Sequence, residues 1–210
     1  MKNLAESPHQ SILYYVYDPM CSWCYAFRPI WLQVIEQLPP TIQVQTVLGG
    51  LAPDTDQPMP STTQAMVQAN WRKIMELVPS TKFNFEFWTL CQPRRSTYPA
   101  CRAILAAQTQ QPQAGQTMLI AIQNAYYQQA RNPSDITTLV ELAEELGLDS
   151  ERFLLDLNSQ SIQAQLAADL ALADQLGVNS FPSLVLKTQQ SLVKIQHSYT
   201  DAPAVLRQLS

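Results

Sequence analysis

Residues 12–27 read ILYYVYDPMCSWCYAF, and this stretch determines how the rest of the sequence is interpreted. Its first half, ILYYVY, is short and rich in β-branched and aromatic residues, which is typical of a buried strand. The Asp-Pro pair at 18–19 interrupts that strand, and beyond it apolar residues recur at helical spacing. The motif Cys21-Ser22-Trp23-Cys24 is therefore predicted to lie where a strand passes into a helix.

The spacing of the two cysteines in this motif favours redox chemistry. Residues three apart on a helix share one face, so both sulfurs can join in a single disulfide. The first cysteine of such a motif lies over unpaired backbone N–H groups and the positive end of the helix dipole, which stabilise a thiolate. We therefore predict that Cys21 is the thiol that attacks and Cys24 the one that resolves the mixed disulfide. Ser22 and Trp23 are expected to adjust the pair, with Trp23 serving either as contact surface or as core packing.

A metal site is the alternative interpretation of this motif, and the sequence does not favour it. Structural zinc takes four ligands, usually as two pairs. Cys91 and Cys101 are ten residues apart, and the two histidines, His9 and His197, are widely separated. We predict no metal site, and we expect Cys101 to be a small core residue rather than a redox thiol.

The remaining sequence is mostly helical in pattern and returns to strand patterns near its C-terminus. The further strands are expected at 41–48, 183–187 and 191–196. Between the second and third strands helical periods dominate, except for an aromatic segment at 83–88 that suggests a short extended piece. Ser134 and Gly147 are expected to cap the two ends of one of these helices.

Composition excludes several classes of function. The formal net charge of −4 and the absence of dense Lys/Arg runs argue against partners that are nucleic acids or membrane surfaces. Residues 1–10 are polar and the apolar run that follows is only six residues long, so the pattern of a secretory signal is missing. We therefore expect a cytoplasmic protein without a membrane span.

Two stretches, YYVYDPMCSWCYAF (14–27) and GVNSFPSLVL (177–186), together resemble the DsbA-like family of the thioredoxin superfamily. The similarity is greatest to its cytoplasmic members, which are described as predicted protein-disulfide isomerases. It extends over nearly the whole chain, including the segment 95–103. It implies an α/β class with a thioredoxin-like fold split by a helical insertion. The thioredoxin-like domain would comprise residues 10–55 and 160–210, and the insertion residues 56–159.

The resemblance also implies a second half of the site. In this family a loop with a cis-proline packs against the CxxC motif and pairs with an extended substrate peptide, which assigns substrate binding to Phe181 and Pro182. It likewise assigns Cys21 as nucleophile and Cys24 as resolving thiol. One departure matters: DsbA has a histidine between its cysteines, whereas this chain has Ser22-Trp23, so strong oxidising power is not implied.

The predicted function is thiol–disulfide oxidoreductase or isomerase chemistry on protein or peptide substrates. No cofactor is expected, with glutathione a candidate redox partner. One alternative is a glutathione-dependent small-molecule isomerase or transferase of the same fold, although such relatives usually replace the cysteine pair with a single Ser or Cys. A second alternative is a non-enzymatic redox-sensing adaptor, for which the sequence offers no specific feature.

Overall fold

The computed structural model describes residues 11–209, which form a four-stranded sheet surrounded by helices. In chain order the elements are β1 (Ser11–Tyr17), α1 (Ser22–Glu36), β2 (Ile42–Leu48), α2 (Ser61–Leu77), α3 (Phe87–Leu90), α4 (Tyr98–Gln110), α5 (Ala114–Tyr127), α6 (Ile136–Glu145), α7 (Ser150–Leu157), α8 (Gln160–Gln175), β3 (Ser183–Lys187), β4 (Leu192–Ile195) and α9 (Ala202–Leu206). None of the helices within this range is both long and apolar enough to cross a lipid bilayer.

The strands are arranged in the order β2-β1-β3-β4. β1 pairs with β2 in parallel, in the register Tyr14↔Gln45, and with β3 in antiparallel orientation, in the register Tyr15↔Leu184. α1 is the crossover that a parallel β1–β2 pair requires. Six helices, α2 to α7, lie between β2 and α8, and α8 leads into β3, so the predicted α/β fold with a helical insertion is confirmed.

β1 is apolar along most of its length because both faces of the sheet are covered. Tyr15 stacks near Tyr17 and lies 4.5 Å, centroid to centroid, from Trp31 of α1. The alternate residues Tyr14 and Val16 belong to a separate buried cluster with residues of α8. Since successive side chains of a strand point to opposite faces, β1 contributes to two different hydrophobic clusters, one on each face of the sheet.

Two details of the helical region differ from the sequence-based expectation. Phe87 and Trp88 are helical rather than extended, because the aromatic side chains of this segment gather around the fully buried Trp71. Ser134 does not cap α6; its hydroxyl donates to the Ser96 carbonyl at 2.7 Å. Gly147 follows α6 with a φ of 72°, as a C-terminal cap residue should.

The predicted division into residues 10–55 with 160–210 and residues 56–159 stays a prediction. Residues 10 and 210 lie outside the described range. One large hydrophobic cluster contains core residues from both parts, including Phe27 of α1 and Met118 of α5.

Candidate redox-active site

The two motif cysteines lie at the N-terminus of α1, one helical turn apart. Cys21 is the N-cap residue, with extended backbone angles (φ −79°, ψ 116°), and Cys24 is the third residue inside the helix. Both are free thiols, 7% and 1% exposed respectively. The first backbone N–H groups of α1 therefore surround the Cys21 side, while Cys24 lies deeper in the core.

Cys21 opens onto a cavity of about 290 Å³, and Cys24 does not. The cavity is lined on one side by residues 20–23 and on another by residues 179–181 of the loop before β3. Met59 and Met66 contribute an apolar wall from the start of the helical region. Because only one of the two sulfurs lines this cavity, a ligand entering it meets Cys21 first.

The loop predicted from the sequence to complete the site lies against the motif. The Cys21 thiol donates a hydrogen bond to the Phe181 carbonyl at 3.6 Å, across 160 residues of sequence. The peptide bond between Phe181 and Pro182 is cis. The Phe181 ring lies against Gly49, where an added Cβ would fall 2.0 Å from a ring carbon. A glycine after β2 is therefore required for the loop to approach this closely.

Trp23 packs against the core and also borders the cavity, and its role as contact surface for a substrate stays a prediction. Its side chain lines the cavity beside Cys21, and its ring lies 5.1 Å from the ring of Tyr199, at an angle of 51°. Burial raises the pKa of Tyr199, and Cys24 and Cys21 raise it further. Tyr199 thus adjoins the site through its contact with Trp23, and no feature of the sequence marked it as a site residue.

Burial raises the pKa of Cys24 well above that of an ordinary thiol. The adjoining Cys21 side chain raises it further, through a hydrogen bond and through its charge. Cys24 therefore holds its proton more tightly than an ordinary thiol does, and it is also the sulfur that does not line the cavity. This is the asymmetry that a nucleophile and a resolving thiol require.

Behind the motif lies a buried carboxyl group that the sequence analysis did not single out. Asp18 is fully buried and accepts hydrogen bonds from four groups. They are the backbone N–H groups of Met20 (2.8 Å) and Leu51 (2.7 Å), the Thr97 hydroxyl (2.7 Å) and the Cys101 thiol (3.7 Å). Burial raises the pKa of Asp18, and these hydrogen bonds oppose the shift. The one signal in the sequence was an acidic residue directly after a buried strand.

Cys101 is fully buried, as expected for a core residue. Burial raises the pKa of its thiol, and the adjacent Asp18 charge adds to the shift. The thiol thus donates a hydrogen bond to Asp18 and keeps its proton, which makes it a poor nucleophile. Thr97 and Cys101 together join the start of α4 to the turn that carries the redox motif.

Within residues 11–209, no three histidine, cysteine or acidic side chains lie close enough together to hold a metal ion. His9 lies outside the described residues. His197 is half-buried, its ring 5.5 Å from that of Phe27 and within 3.2 Å of the Tyr199 hydroxyl. Burial lowers the pKa of His197.

Two solved structures resemble this chain over almost its full length. A proposed protein disulfide isomerase from Nitrosomonas europaea is 27% identical, with a TM-score of 0.80 and 95% of each chain covered. The cytosolic disulfide reductase DsbM from Pseudomonas aeruginosa is also 27% identical, with a TM-score of 0.70 and coverage of 94% of this chain and 93% of DsbM. DsbM has also been solved with GSH. These similarities support a thiol–disulfide redox function.

The curated relatives found by sequence carry a different name. The ClpXP adapter protein SpxH of Bacillus subtilis is 25% identical over 178 residues, which cover 85% of this chain and 58% of SpxH. SpxH of Halalkalibacterium halodurans is 26% identical over 177 residues, covering 82% of this chain and 57% of that protein. This chain thus spans less than two thirds of the length of these relatives.

A family model described as thioredoxin matches residues 14–200, a span that contains both the CxxC motif and the Phe181-Pro182 loop. Together with the strand order and the DsbA-like structures that resemble it, this match shows that the chain belongs to the thioredoxin family, in its DsbA-like branch.

Proposed function

We propose that this protein exchanges disulfides with protein or peptide thiols through the Cys21–Cys24 pair. The observation that carries the proposal is the asymmetry of the pair: Cys21 lines a cavity at a helix N-terminus, whereas Cys24 is buried one turn behind it. As a reductase, the Cys21 thiolate attacks a substrate disulfide, one substrate sulfur leaves, and Cys21 is joined to the other. Cys24 then attacks Cys21 and releases the second substrate sulfur.

The environment of Cys24 explains why this thiol would react only after Cys21 has done so. The charge and hydrogen bond of Cys21 are among the causes that raise the pKa of Cys24. When Cys21 enters a mixed disulfide its negative charge is lost, so the pKa of Cys24 falls at the moment when its thiolate is needed. Overall, two electrons and two protons pass from the cysteine pair to the two substrate sulfurs.

Substrate binding is assigned to the loop around Phe181 and Pro182, with Ser22 and Trp23 as neighbouring contact surface. The Phe181 carbonyl is already a hydrogen-bond acceptor at the position of the reacting sulfur. An extended peptide placed there can pair with the loop backbone while its disulfide faces Cys21. No cofactor is required for this chemistry.

The direction of exchange in the proposal is reduction, in the cytoplasm, with glutathione as redox partner. Two features support it. The Ser22-Trp23 dipeptide lacks a group that would favour a strong oxidant, and the similar DsbM is a cytosolic disulfide reductase that has been solved with GSH.

The direct test measures reduction of a disulfide-bonded protein by the pre-reduced chain. We expect turnover by the wild type, none by Cys21→Ser, and accumulation of a mixed disulfide with Cys24→Ser. Cys91→Ser is the matched control, because Cys91 lies outside the cavity beside Cys21, and its rate should equal that of the wild type. A wild type no faster than free dithiol, together with an unchanged Cys21→Ser variant, contradicts the proposal. Conjugation of glutathione to an electrophile, retained in Cys24→Ser, would instead indicate the small-molecule transferase.

A second candidate function is that of a redox-sensing adaptor, favoured by the relatives named ClpXP adapter protein SpxH. In this case oxidation of the cysteine pair would alter binding of a partner protein by the helical region. Partner binding that differs between the oxidised and reduced chain, without catalytic turnover, would support it. Turnover of a disulfide substrate with equal partner binding in both states would contradict it.

A further inference from the structure

The cavity beside Cys21 is lined by positive charge, although the protein as a whole is acidic. Arg94 and Arg95 both line it, and among residues 11–209 no aspartate or glutamate does. The full chain, by contrast, has a formal net charge of −4. Asp18 is the nearby carboxyl, and it lies behind the cavity wall, fully buried against its four donors. The cavity is therefore suited to an anionic ligand despite the net charge of the protein.

The two arginines differ in their ion pairs and hydrogen bonds. The Arg94 guanidinium is paired with the Asp135 carboxylate at 2.6 Å and also donates to the Ser134 carbonyl at 2.6 Å. Arg95 is half-buried and makes no ion pair or side-chain hydrogen bond within residues 11–209. Because a guanidinium has five donors suited to a carboxylate, Arg95 is the charge left available for a ligand.

Arg95 also lies in the surroundings of the reacting sulfur. The Tyr126 ring lines the same cavity. Burial raises the pKa of Tyr126, the Arg95 charge opposes this shift, and Cys21 adds to it. The lining of the cavity carries the geometry, because Tyr126, Arg95 and Cys21 all border this one small space.

The size of the cavity restricts what this arrangement can bind. At about 290 Å³ it lies at the lower end of the range for ligand pockets, so it takes a short peptide rather than a folded domain. We propose that Arg95 anchors a free carboxylate in this cavity and makes the site selective for short peptide thiols that carry one, the class to which glutathione belongs. This inference rests on the exchange function proposed above and adds a specificity-determining residue to it.

The reaction that tests it is reduction of the oxidised chain by glutathione. A glutathione thiolate attacks Cys21, a bond forms between the two sulfurs, and the Cys21–Cys24 bond breaks with Cys24 leaving as the thiolate. A second glutathione thiolate then attacks the first glutathione sulfur and releases Cys21. Two glutathione molecules are oxidised to one glutathione disulfide, the cysteine pair gains two electrons, and the two thiol protons pass to Cys21 and Cys24.

The experiment compares the second-order rate constant for glutathione with that for glutathione dimethyl ester, which has the same thiol and no free carboxylate. Arg95→Gln is expected to lower the rate constant for glutathione by about 3- to 10-fold, because one partly exposed charge-assisted contact is lost. The rate constant for the ester should stay unchanged. Arg95→Lys should retain part of the preference because it keeps the charge. Arg152→Gln, which removes the same charge outside this cavity, should change neither rate.

The preference of the wild type for glutathione should also weaken with salt, and that of Arg95→Gln should not. If Arg95→Gln lowers the rate constants for glutathione and its ester equally, Arg95 is a structural residue and the proposed carboxylate anchor is overturned. An unchanged glutathione rate in Arg95→Gln overturns it as well. A wild type whose cysteine pair reacts with neither thiol overturns the exchange function itself, and with it the anchor.

Discussion

Replacing Asp18 by asparagine tests the electrostatic account of the site most sharply, because it removes a buried charge while keeping the shape of the side chain. One carboxylate oxygen accepts from the Met20 N–H, and the other accepts from Leu51, Thr97 and Cys101. The single oxygen of asparagine best replaces the second. The side-chain NH₂ group then faces the Met20 N–H, so two donors meet and the Met20 N–H loses its acceptor.

Two opposing effects set the magnitude. One unmet buried donor costs about 1–3 kcal/mol of the free energy of unfolding. Against this, burial raises the pKa of Asp18 above its value in the unfolded chain, which is about 3.9. In the wild type, the contribution of Asp18 to the free energy of unfolding is therefore fully present below about pH 4. It is lost as pH rises through the native pKa, by up to about 1.4 kcal/mol per pH unit. Asparagine does not titrate and escapes this loss.

The assay is urea unfolding of the reduced wild type and Asp18→Asn between pH 4 and pH 8. We expect the variant to be the less stable protein at pH 4, with the difference shrinking or reversing as pH rises. Asp56→Asn, at an exposed position, is the control and should give no such trend. A difference between wild type and Asp18→Asn that stays constant across this pH range would refute the assignment of Asp18 as a carboxyl destabilised by burial.

Three further substitutions follow from the geometry. Gly49→Ala brings a Cβ against the Phe181 ring and must displace it, so the rate of peptide disulfide exchange should fall about 10-fold or more, and an unchanged rate would count against the Phe181 loop as part of the site. Gly147→Ala, at a φ of 72° with open space around it, should lower the free energy of unfolding by about 1 kcal/mol and leave the exchange rate unaltered. Asp149→Ala removes the hydrogen bond from the Arg152 N–H that caps α7 and should also cost about 1 kcal/mol in urea unfolding; no change in the midpoint would contradict the cap.

Local patterns in the sequence predicted the sheet and its surroundings well. The strand predicted at 183–187 coincides with β3. The passage from β1 into α1 occurs at the Asp-Pro pair and Cys21, as the sequence predicted. Gly147 and Gly177 end their helices with positive φ values, as helix-capping glycines do. These features depend on residues near one another in the chain, which is why periodicity and turn chemistry reveal them.

The contacts that complete the site are long-range, and no local pattern encodes them. The hydrogen bond between Thr97 and Asp18 joins residues 79 apart in sequence, and that between Cys101 and Asp18 joins residues 83 apart. Ser134 had the chemistry of a helix cap, but its hydroxyl meets the Ser96 carbonyl instead. In each case tertiary packing decided which partner a polar side chain found.

We propose above that Cys21 and Cys24 form one two-electron redox pair. It is tested most directly by equilibrating the chain in buffers of reduced and oxidised glutathione, quenching with acid, alkylating the free thiols and counting them by mass spectrometry. We expect Cys21 and Cys24 to lose their free thiols together in a single two-electron transition, while the fully buried Cys101 stays reduced. Oxidation of only one of the two, or a pair that stays reduced across the whole series, would contradict it.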